Sequence, residues 1–146
     1  MEDRFNINPD DPTPIYAQLE RAIRFAIATD RLRIGEQLPT VRQLAVDLKI
    51  NANTVAKVYA ELERIGVLET RRGIGTFVSA RQPASAMRAT RGARERELRA
   101  LADRILAEAY TLGFSLEEVI EQLESSLNDK SAAAKRRQRQ KENEHG

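Results

Sequence analysis

The sequence predicts a mainly α-helical protein with a small β-hairpin, built as an N-terminal winged helix-turn-helix domain and a C-terminal two-helix dimerisation segment. Three observations support this fold class. Apolar residues recur at helical spacing in several segments, a β-branched stretch with glycines follows the third of these, and a small, polar stretch divides the chain after residue 80. The predicted division is a flexible lead at 1–12, the winged domain at 13–80, a linker at 81–92, the dimerisation segment at 93–128 and a disordered basic tail at 129–146.

The first predicted helix covers residues 14–29 and begins with Pro14. Proline is tolerated at the first helical position because its missing N–H would be unpaired there in any case. The stretch 31–38 contains a glycine and ends before a proline, so it is predicted to be a connector. Thr40 and Gln43 then have the spacing of a capping box, which predicts the start of a short second helix.

A third helix is predicted to start at Asn51, a residue type favoured as an N-cap, and to end at Gly66. Its apolar residues form one stripe: Val55, Val58, Tyr59, Leu62 and Ile65. The following residues predict two short strands, 67–70 and 75–79, joined by a tip at 71–74. The tight turn before Asn51 and the hairpin after the third helix together indicate a winged helix-turn-helix.

The C-terminal part of the chain predicts two more amphipathic helices, at 93–112 and 116–127. Gly113 ends the first, and Ser115 with Glu118 forms a capping box for the second. Units this small leave much of their apolar surface exposed, so we expect the pair to pack against the same pair of a second chain. The predicted interface residues are Leu98, Leu101, Ile105, Leu112, Val119 and Leu123. The alternative is that the pair folds back onto its own N-terminal domain.

Charge and composition limit the cellular context. The isoelectric point of 9.1 comes from the last residues, because residues 1–80 carry 11 basic and 11 acidic side chains. The tail either adds non-specific phosphate contacts or serves as a solubilising end. The chain contains no cysteine, no apolar run of membrane-spanning length and no secretory signal, so we expect a cytoplasmic protein without membrane contact.

The sequence lacks the residue clusters and motifs that enzymatic chemistry requires. Neither a metal-ligand cluster nor a phosphate-binding loop of the P-loop type is present, and the single histidine, His145, lies next to the C-terminal residue. The Gly73-x-Gly75 pair precedes a strand, whereas a dinucleotide-binding fingerprint precedes a helix. We therefore predict that the protein is not an enzyme and uses no cofactor.

The residues of the helix-turn-helix and the hairpin resemble those of a known family. The sequence LPTVRQLAVDLKINANTVAKVYAELERIGVLETRRGIGTFV resembles the DNA-binding domain of the GntR family of bacterial transcription regulators, over residues 13–79. Within it, N-x-N-T-V-x-K-x-Y-x-E-L-E resembles the YtrA subfamily, which also carries a short two-helix C-terminal segment. Many family members have arginine where this chain has Ala52 and Ala56, so Lys57 is the only cation in the first half of the third helix.

The resemblance implies a set of DNA-contacting residues on three elements. They are Thr40 and Arg42 on the second helix, Asn51, Asn53, Thr54 and Lys57 on the third helix, and Arg71, Arg72, Gly73, Gly75 and Thr76 on the wing. It implies a transcription regulator, expected to be a repressor, that binds a palindromic operator on double-stranded DNA as a homodimer. The sequence identifies no small-molecule effector. The alternative function is a winged-helix module that binds another protein and has no specific affinity for DNA.

Overall fold

The structure is a computed structural model that describes residues 5–80 and 90–145. The chain divides into two compact units, Met1–Ala84 and Ser85–Gly146, and each is described by itself. The first contains α1 (Ile15–Ala28), α2 (Val41–Leu48), α3 (Ala52–Arg64), β1 (Leu68–Arg71) and β2 (Gly75–Val78). The second contains α4 (Arg91–Thr111) and α5 (Leu116–Glu144). None of the helices in the described residues is long and apolar enough to cross a membrane.

The core of the first unit lies where α1 and α2 pack on α3 and the hairpin closes the end of α3. Burying aliphatic side chains of this kind stabilises a fold by about 1.5–3 kcal/mol each. The most deeply buried side chains come from α1, α3, both strands and the connector after α1: Leu19, Ile23, Leu32, Leu62, Leu68, Val55, Val58 and Val78. The mainly helical winged architecture predicted from the sequence is confirmed.

The N-terminal lead is ordered where it is described, and in this respect the prediction of a flexible lead at 1–12 is wrong. Phe5 is buried in the core, and Ile7 packs against the core. The Gln18 side chain of α1 accepts a hydrogen bond from the Asn8 N–H at 2.8 Å and donates one to the Asn8 carbonyl at 3.0 Å. Phe5 and Ile7, which both precede the residue held by this clamp, anchor the lead to the core.

The connector predicted at 31–38 pairs with the wing over part of its length. The Val78 N–H donates to the Glu36 carbonyl at 2.9 Å, and the Leu38 N–H donates to the Thr76 carbonyl at 2.8 Å. β2 thus has hydrogen-bonded neighbours on both sides, since β1 pairs antiparallel with its other edge. The connector gave no strand signal because its hydrogen-bonded stretch is too short for a period-two pattern.

The second unit consists of two helices joined by a tight turn at Gly113, which has φ +83°. Thr90 caps α4 by accepting from the Ala93 N–H at 3.2 Å; the remaining linker residues, 81–89, lie outside the described part of the chain. The predicted capping box forms at the start of α5, where the Ser115 hydroxyl accepts from the Glu118 N–H at 3.2 Å and the Glu118 carboxylate accepts from the Ser115 N–H at 2.7 Å.

α5 does not end at residue 127 but continues to Glu144, so the prediction of a disordered tail at 129–146 is wrong for the described residues. The reason is composition: residues 132–141 consist of alanine, lysine, arginine and glutamine, which are all strong helix formers. Clustered positive charge indicated disorder in the sequence, but the helical propensity of the same residues prevails.

Candidate nucleic-acid interface

The start of α2 places Thr40 and Arg42 at the surface. The predicted capping box is present: the Thr40 hydroxyl accepts from the Gln43 N–H at 3.1 Å, and the Gln43 side chain accepts from the Thr40 N–H at 3.0 Å. The hydroxyl proton of Thr40 is not used by this cap and remains available as a donor to a phosphate oxygen. Arg42 is exposed in the first turn of α2.

A left-handed residue makes the turn between α2 and α3. Lys49 has φ +56°, and the Ile50 N–H returns to the Ala45 carbonyl at 3.0 Å. Asn51 then caps α3, its side-chain oxygen accepting from the Asn53 N–H at 2.8 Å. The cap uses the oxygen of Asn51 and leaves its amide NH₂ group for another acceptor.

One face of α3 is buried and the opposite face is small and polar. Asn53, Ala56, Lys57 and Ala60 are exposed, whereas Thr54 is half-buried. Because the alanine side chains are short, the exposed face lets the helix backbone come close to another surface, while Lys57 extends from it as a cation. This combination suits a helix that enters a groove of DNA.

The two wing arginines have different environments. The Arg71 guanidinium lies over the Phe77 ring, 4.2 Å from its centroid, and forms an ion pair with Glu69 at 3.0 Å. Arg72 is exposed at the tip and forms no ion pair with the described residues. Gly73 takes φ +76°, a conformation that other residue types adopt only with strain. Arg71 is therefore anchored to the hairpin, and Arg72 is available to a ligand.

Residues 37–40, which we term the junction, attach the wing to the helix-turn-helix. The Gln37 side-chain amide donates to the Ile74 carbonyl at the wing tip at 3.0 Å, and the next residue forms the Leu38–Thr76 bond given above. Gly75 makes this contact possible, because a Cβ at that position would lie 2.5 Å from the Gln37 side-chain nitrogen. The tip of the wing is thus held by side chain and backbone together.

The junction also holds the two helices. The Tyr59 hydroxyl of α3 donates to the Pro39 carbonyl at 2.8 Å in the core, and the next residue, Thr40, is the N-cap of α2. Burial raises the pKa of Tyr59 well above its ordinary value, so the hydroxyl keeps its proton and remains a donor. Four consecutive residues therefore position the wing tip, the inner strand of the wing, α3 and α2.

The structure places all of the predicted DNA-contacting residues on these three elements, at α2, α3 and the wing. Their contact with DNA stays a prediction, and the residues differ in whether their side chains already have partners within the protein. All seven of the following side chains are exposed. Thr40, Asn51 and Arg71 already have internal hydrogen bonds or ion pairs, whereas Arg42, Asn53, Lys57 and Arg72 have no side-chain partner among the described residues. The residues that sequence reasoning missed are Gln37 and Tyr59. The position of Tyr59 in the apolar stripe predicts that its ring is buried. Because a buried tyrosine hydroxyl usually requires a hydrogen-bond partner, the same position also indicates a polar contact in the core.

The residues predicted for dimerisation lie on the second unit with much of their surface exposed. Leu98 is 67% exposed and Leu112 is 64% exposed. The others are Leu101, Ile105 and Leu123, which are exposed, and Val119, which is half-buried. A shallow cavity of about 370 Å³ lies beside Phe114 and Val119 on the same helices. The described residues contain no group of His, Asp and Glu side chains arranged to hold a metal ion.

Comparison with solved structures relates both units to known regulators. A transcriptional antiterminator from Listeria monocytogenes EGD-e has a TM-score of 0.62 at 28% identity and covers 86% of this chain and 90% of that one. YtrA from Sulfolobus acidocaldarius, a GntR-family transcription factor, has a TM-score of 0.54 at 29% identity and covers 71% of this chain and 98% of that one.

Sequence comparison identifies the family. The HTH-type transcriptional repressor YtrA of Bacillus subtilis is 44% identical over 73 residues, 50% of this chain and 56% of that protein, so the match spans little more than half of its length. The HTH-type transcriptional regulator Rv1152 of Mycobacterium tuberculosis is 37% identical over 86 residues, 59% of this chain and 71% of that protein. Residues 15–78 match the family described as "Bacterial regulatory proteins, gntR family". The chain therefore belongs to the GntR family, and it is YtrA-like within that family.

Proposed function

We propose that this protein is a sequence-specific DNA-binding transcription regulator that acts in the cytoplasm as a homodimeric repressor on a palindromic operator. One observation carries the proposal: the junction at 37–40 holds α2, α3 and the wing tip in one arrangement, with Lys57 and Arg72 exposed on it. An interface that is fixed before binding loses little conformational entropy when it meets DNA. Family membership and the repressor relative support the same function.

The contacts divide into base reading and phosphate binding. Asn53 and Lys57, near the start of α3, are the residues proposed to reach base edges in the major groove, where asparagine pairs with adenine and lysine with guanine. Ala56 lies beside them and is suited to a thymine methyl group. Arg42 and Arg72 are proposed to bind phosphates, which set the position of the protein on the duplex.

The exposed apolar residues of α4 and α5 support the homodimer. A patch with this many large apolar side chains in water marks an interaction surface, and a two-fold partner of the same chain buries both copies at once. The two winged domains would then bind half-sites related by the same symmetry, centred about 10 base pairs or a multiple of that apart. The two-fold symmetry of such a dimer is what favours a palindromic operator.

A protein-binding module is the second candidate, and one observation favours it. Ile74 at the wing tip is 65% exposed, and an exposed apolar residue at the recognition surface is the feature expected of a platform for another protein. The exposed face of α3 argues the other way, because it presents a cation, an asparagine and alanines. Binding measurements with DNA separate the two functions.

The experiment is a fluorescence-anisotropy titration of the full chain with promoter DNA from upstream of its own gene and with a random duplex of equal length. We expect tighter, salt-dependent binding to the promoter. Lys57→Ala should reduce the preference for the promoter by about 5-fold to 150-fold, which corresponds to about 1–3 kcal/mol for one base-reading contact. Arg24→Ala, which removes an exposed cation of α1, is the matched control and should keep the preference. Equal affinity for both duplexes in the unmodified protein would refute the proposal.

A further inference from the structure

The two halves of α5 have opposite charge. Residues 116–129 contain five acidic side chains and no basic one, whereas residues 130–141 contain six basic side chains and no acidic one. The helix is continuous across this change, and of the six cations only Arg137 is half-buried while the others are exposed. The basic residues are Lys130, Lys135, Arg136, Arg137, Arg139 and Lys141.

The helix dipole does not account for the basic half. Cations stabilise a helix only within its last turn, and Lys135 and Arg136 lie further from the end than that. The last turn contains one cation, Lys141, together with Glu142 and Glu144, so its net charge has the unfavourable sign. The helix dipole therefore does not explain why these positions are occupied by cations, although lysine and arginine are residue types that favour a helix.

The apolar surface of α5 stops where the cations begin. Positions spaced alternately by four and three residues form one seam along a helix, and in α5 this seam changes from apolar to mainly basic after Leu127. The seam residues are Leu116, Ile120, Leu123 and Leu127, followed by Lys130, Ala134, Arg137 and Lys141. If the α5 helix of a second copy packed along this seam past Leu127, a parallel arrangement would place lysines against lysines. An antiparallel arrangement would place lysines against leucines.

We propose that residues 130–141 form a cationic arm that binds phosphates of duplex DNA outside the base pairs read by the winged domain. This inference rests on the proposed function for its ligand, a DNA duplex. Charge complementarity supports it: residues 1–80 carry as many acidic as basic side chains, so the arm is the most concentrated positive charge in the sequence. Twelve helical residues extend about 18 Å, a length of duplex that carries about ten phosphate charges.

An anionic membrane is a poorer partner for the same segment. A helix that lies on a lipid surface needs a face of large apolar side chains to insert below the head groups. Between Lys130 and Lys141 the only apolar residues are the alanines at 132–134. The arm has the charge for a polyanion but lacks the apolar face for a bilayer.

The test compares two triple variants of the full chain. Lys135→Gln/Arg136→Gln/Arg139→Gln removes three charges and keeps residues of high helical propensity, and Lys135→Arg/Arg136→Lys/Arg139→Lys keeps the charges. Affinity for a ~60-bp promoter duplex and for a random duplex of the same length is measured by anisotropy between about 50 and 200 mM salt. For the charge-removing variant we expect the slope of log K against log salt to fall by about 2.7 per protomer, at 0.9 for each phosphate. Raising the salt concentration fourfold should then weaken DNA binding by the unmodified protein about 40-fold more than DNA binding by this variant. The charge-keeping variant should retain the original slope.

Each contrary result has a distinct meaning. An unchanged slope and affinity in the charge-removing variant would overturn the arm, and promoter preference in the same titration would leave the proposed function standing. If the charge-removing variant has the reduced salt slope but the unmodified protein shows no preference for the promoter, the arm is supported and the proposed operator binding is refuted. If the charge-removing variant has a lower mass by light scattering but unchanged DNA affinity, the arm is overturned. The basic half of α5 would then pair with the acidic half of α5 in a second copy. Loss of binding to anionic phospholipid vesicles with unchanged DNA affinity would also overturn it.

Discussion

Replacing Tyr59 by phenylalanine tests the junction that positions α3. The substitution removes one oxygen and leaves the Pro39 carbonyl in the core without the 2.8 Å hydrogen bond that it accepts from this side chain. Leaving a buried acceptor without its partner costs about 1–3 kcal/mol. In a domain of 60–100 residues each kcal/mol lowers the melting temperature by about 4–8 °C, so we expect a fall of at least about 4 °C.

The assay is thermal and urea unfolding followed by circular dichroism, with Tyr16→Phe as the matched control. Tyr16 is a half-buried tyrosine of α1 that packs against the same core, so its replacement makes the same chemical change without breaking the bond to Pro39. We also expect Tyr59→Phe to weaken promoter binding without changing its salt dependence, since no phosphate contact is removed. Equal stability of the two variants would refute the role given to the Tyr59–Pro39 bond.

Three further predictions concern the wing, the dimer and the pH dependence. Arg72→Ala should lower affinity for every DNA sequence alike and reduce the salt slope by about 0.9 per protomer; a selective loss on the promoter would instead make Arg72 a base-reading residue. Leu101→Asp should convert the proposed dimer to a monomer in light scattering at micromolar concentration, because it puts a charge into the apolar surface of α4, and an unchanged mass would exclude this surface as the interface. Burial raises the pKa of Tyr59, so the folded protein keeps a proton that the unfolded chain loses near pH 10. The stability advantage over Tyr59→Phe should therefore be constant below about pH 10 and shrink above it, and an advantage that grows at high pH would contradict this sign.

The caps of α2, α3 and α5 could be predicted because they depend on neighbouring residues. The start of α1 differs by one residue, since Pro14 is its N-cap and not its first helical residue. The Thr40–Gln43 and Ser115–Glu118 boxes have a fixed spacing, and both form in the structure. Asn51 caps α3 as expected for the same reason. Local chemistry of this kind is visible in a single sequence.

The junction could not be predicted because its contacts join residues far apart in the chain. Gln37 reaches Ile74, and Pro39 reaches Tyr59, and neither partner indicates the other. The length of α5 could not be predicted for a different reason: clustered charge indicates disorder, the same residues favour a helix, and in the structure the helical propensity prevails. The residues predicted to contact DNA rest on the family resemblance, and the structure adds which of them already have partners within the protein.

Hydroxyl-radical footprinting of the full chain on its own promoter DNA tests the central claim most directly. A homodimer whose winged domains read a palindrome should protect two symmetric half-sites centred about 10 base pairs or a multiple of that apart. In Lys57→Ala both half-sites should lose protection together, at protein concentrations where Arg24→Ala still protects them. A footprint without two-fold symmetry, or equal protection by Lys57→Ala and Arg24→Ala, would contradict the proposed mode of DNA recognition.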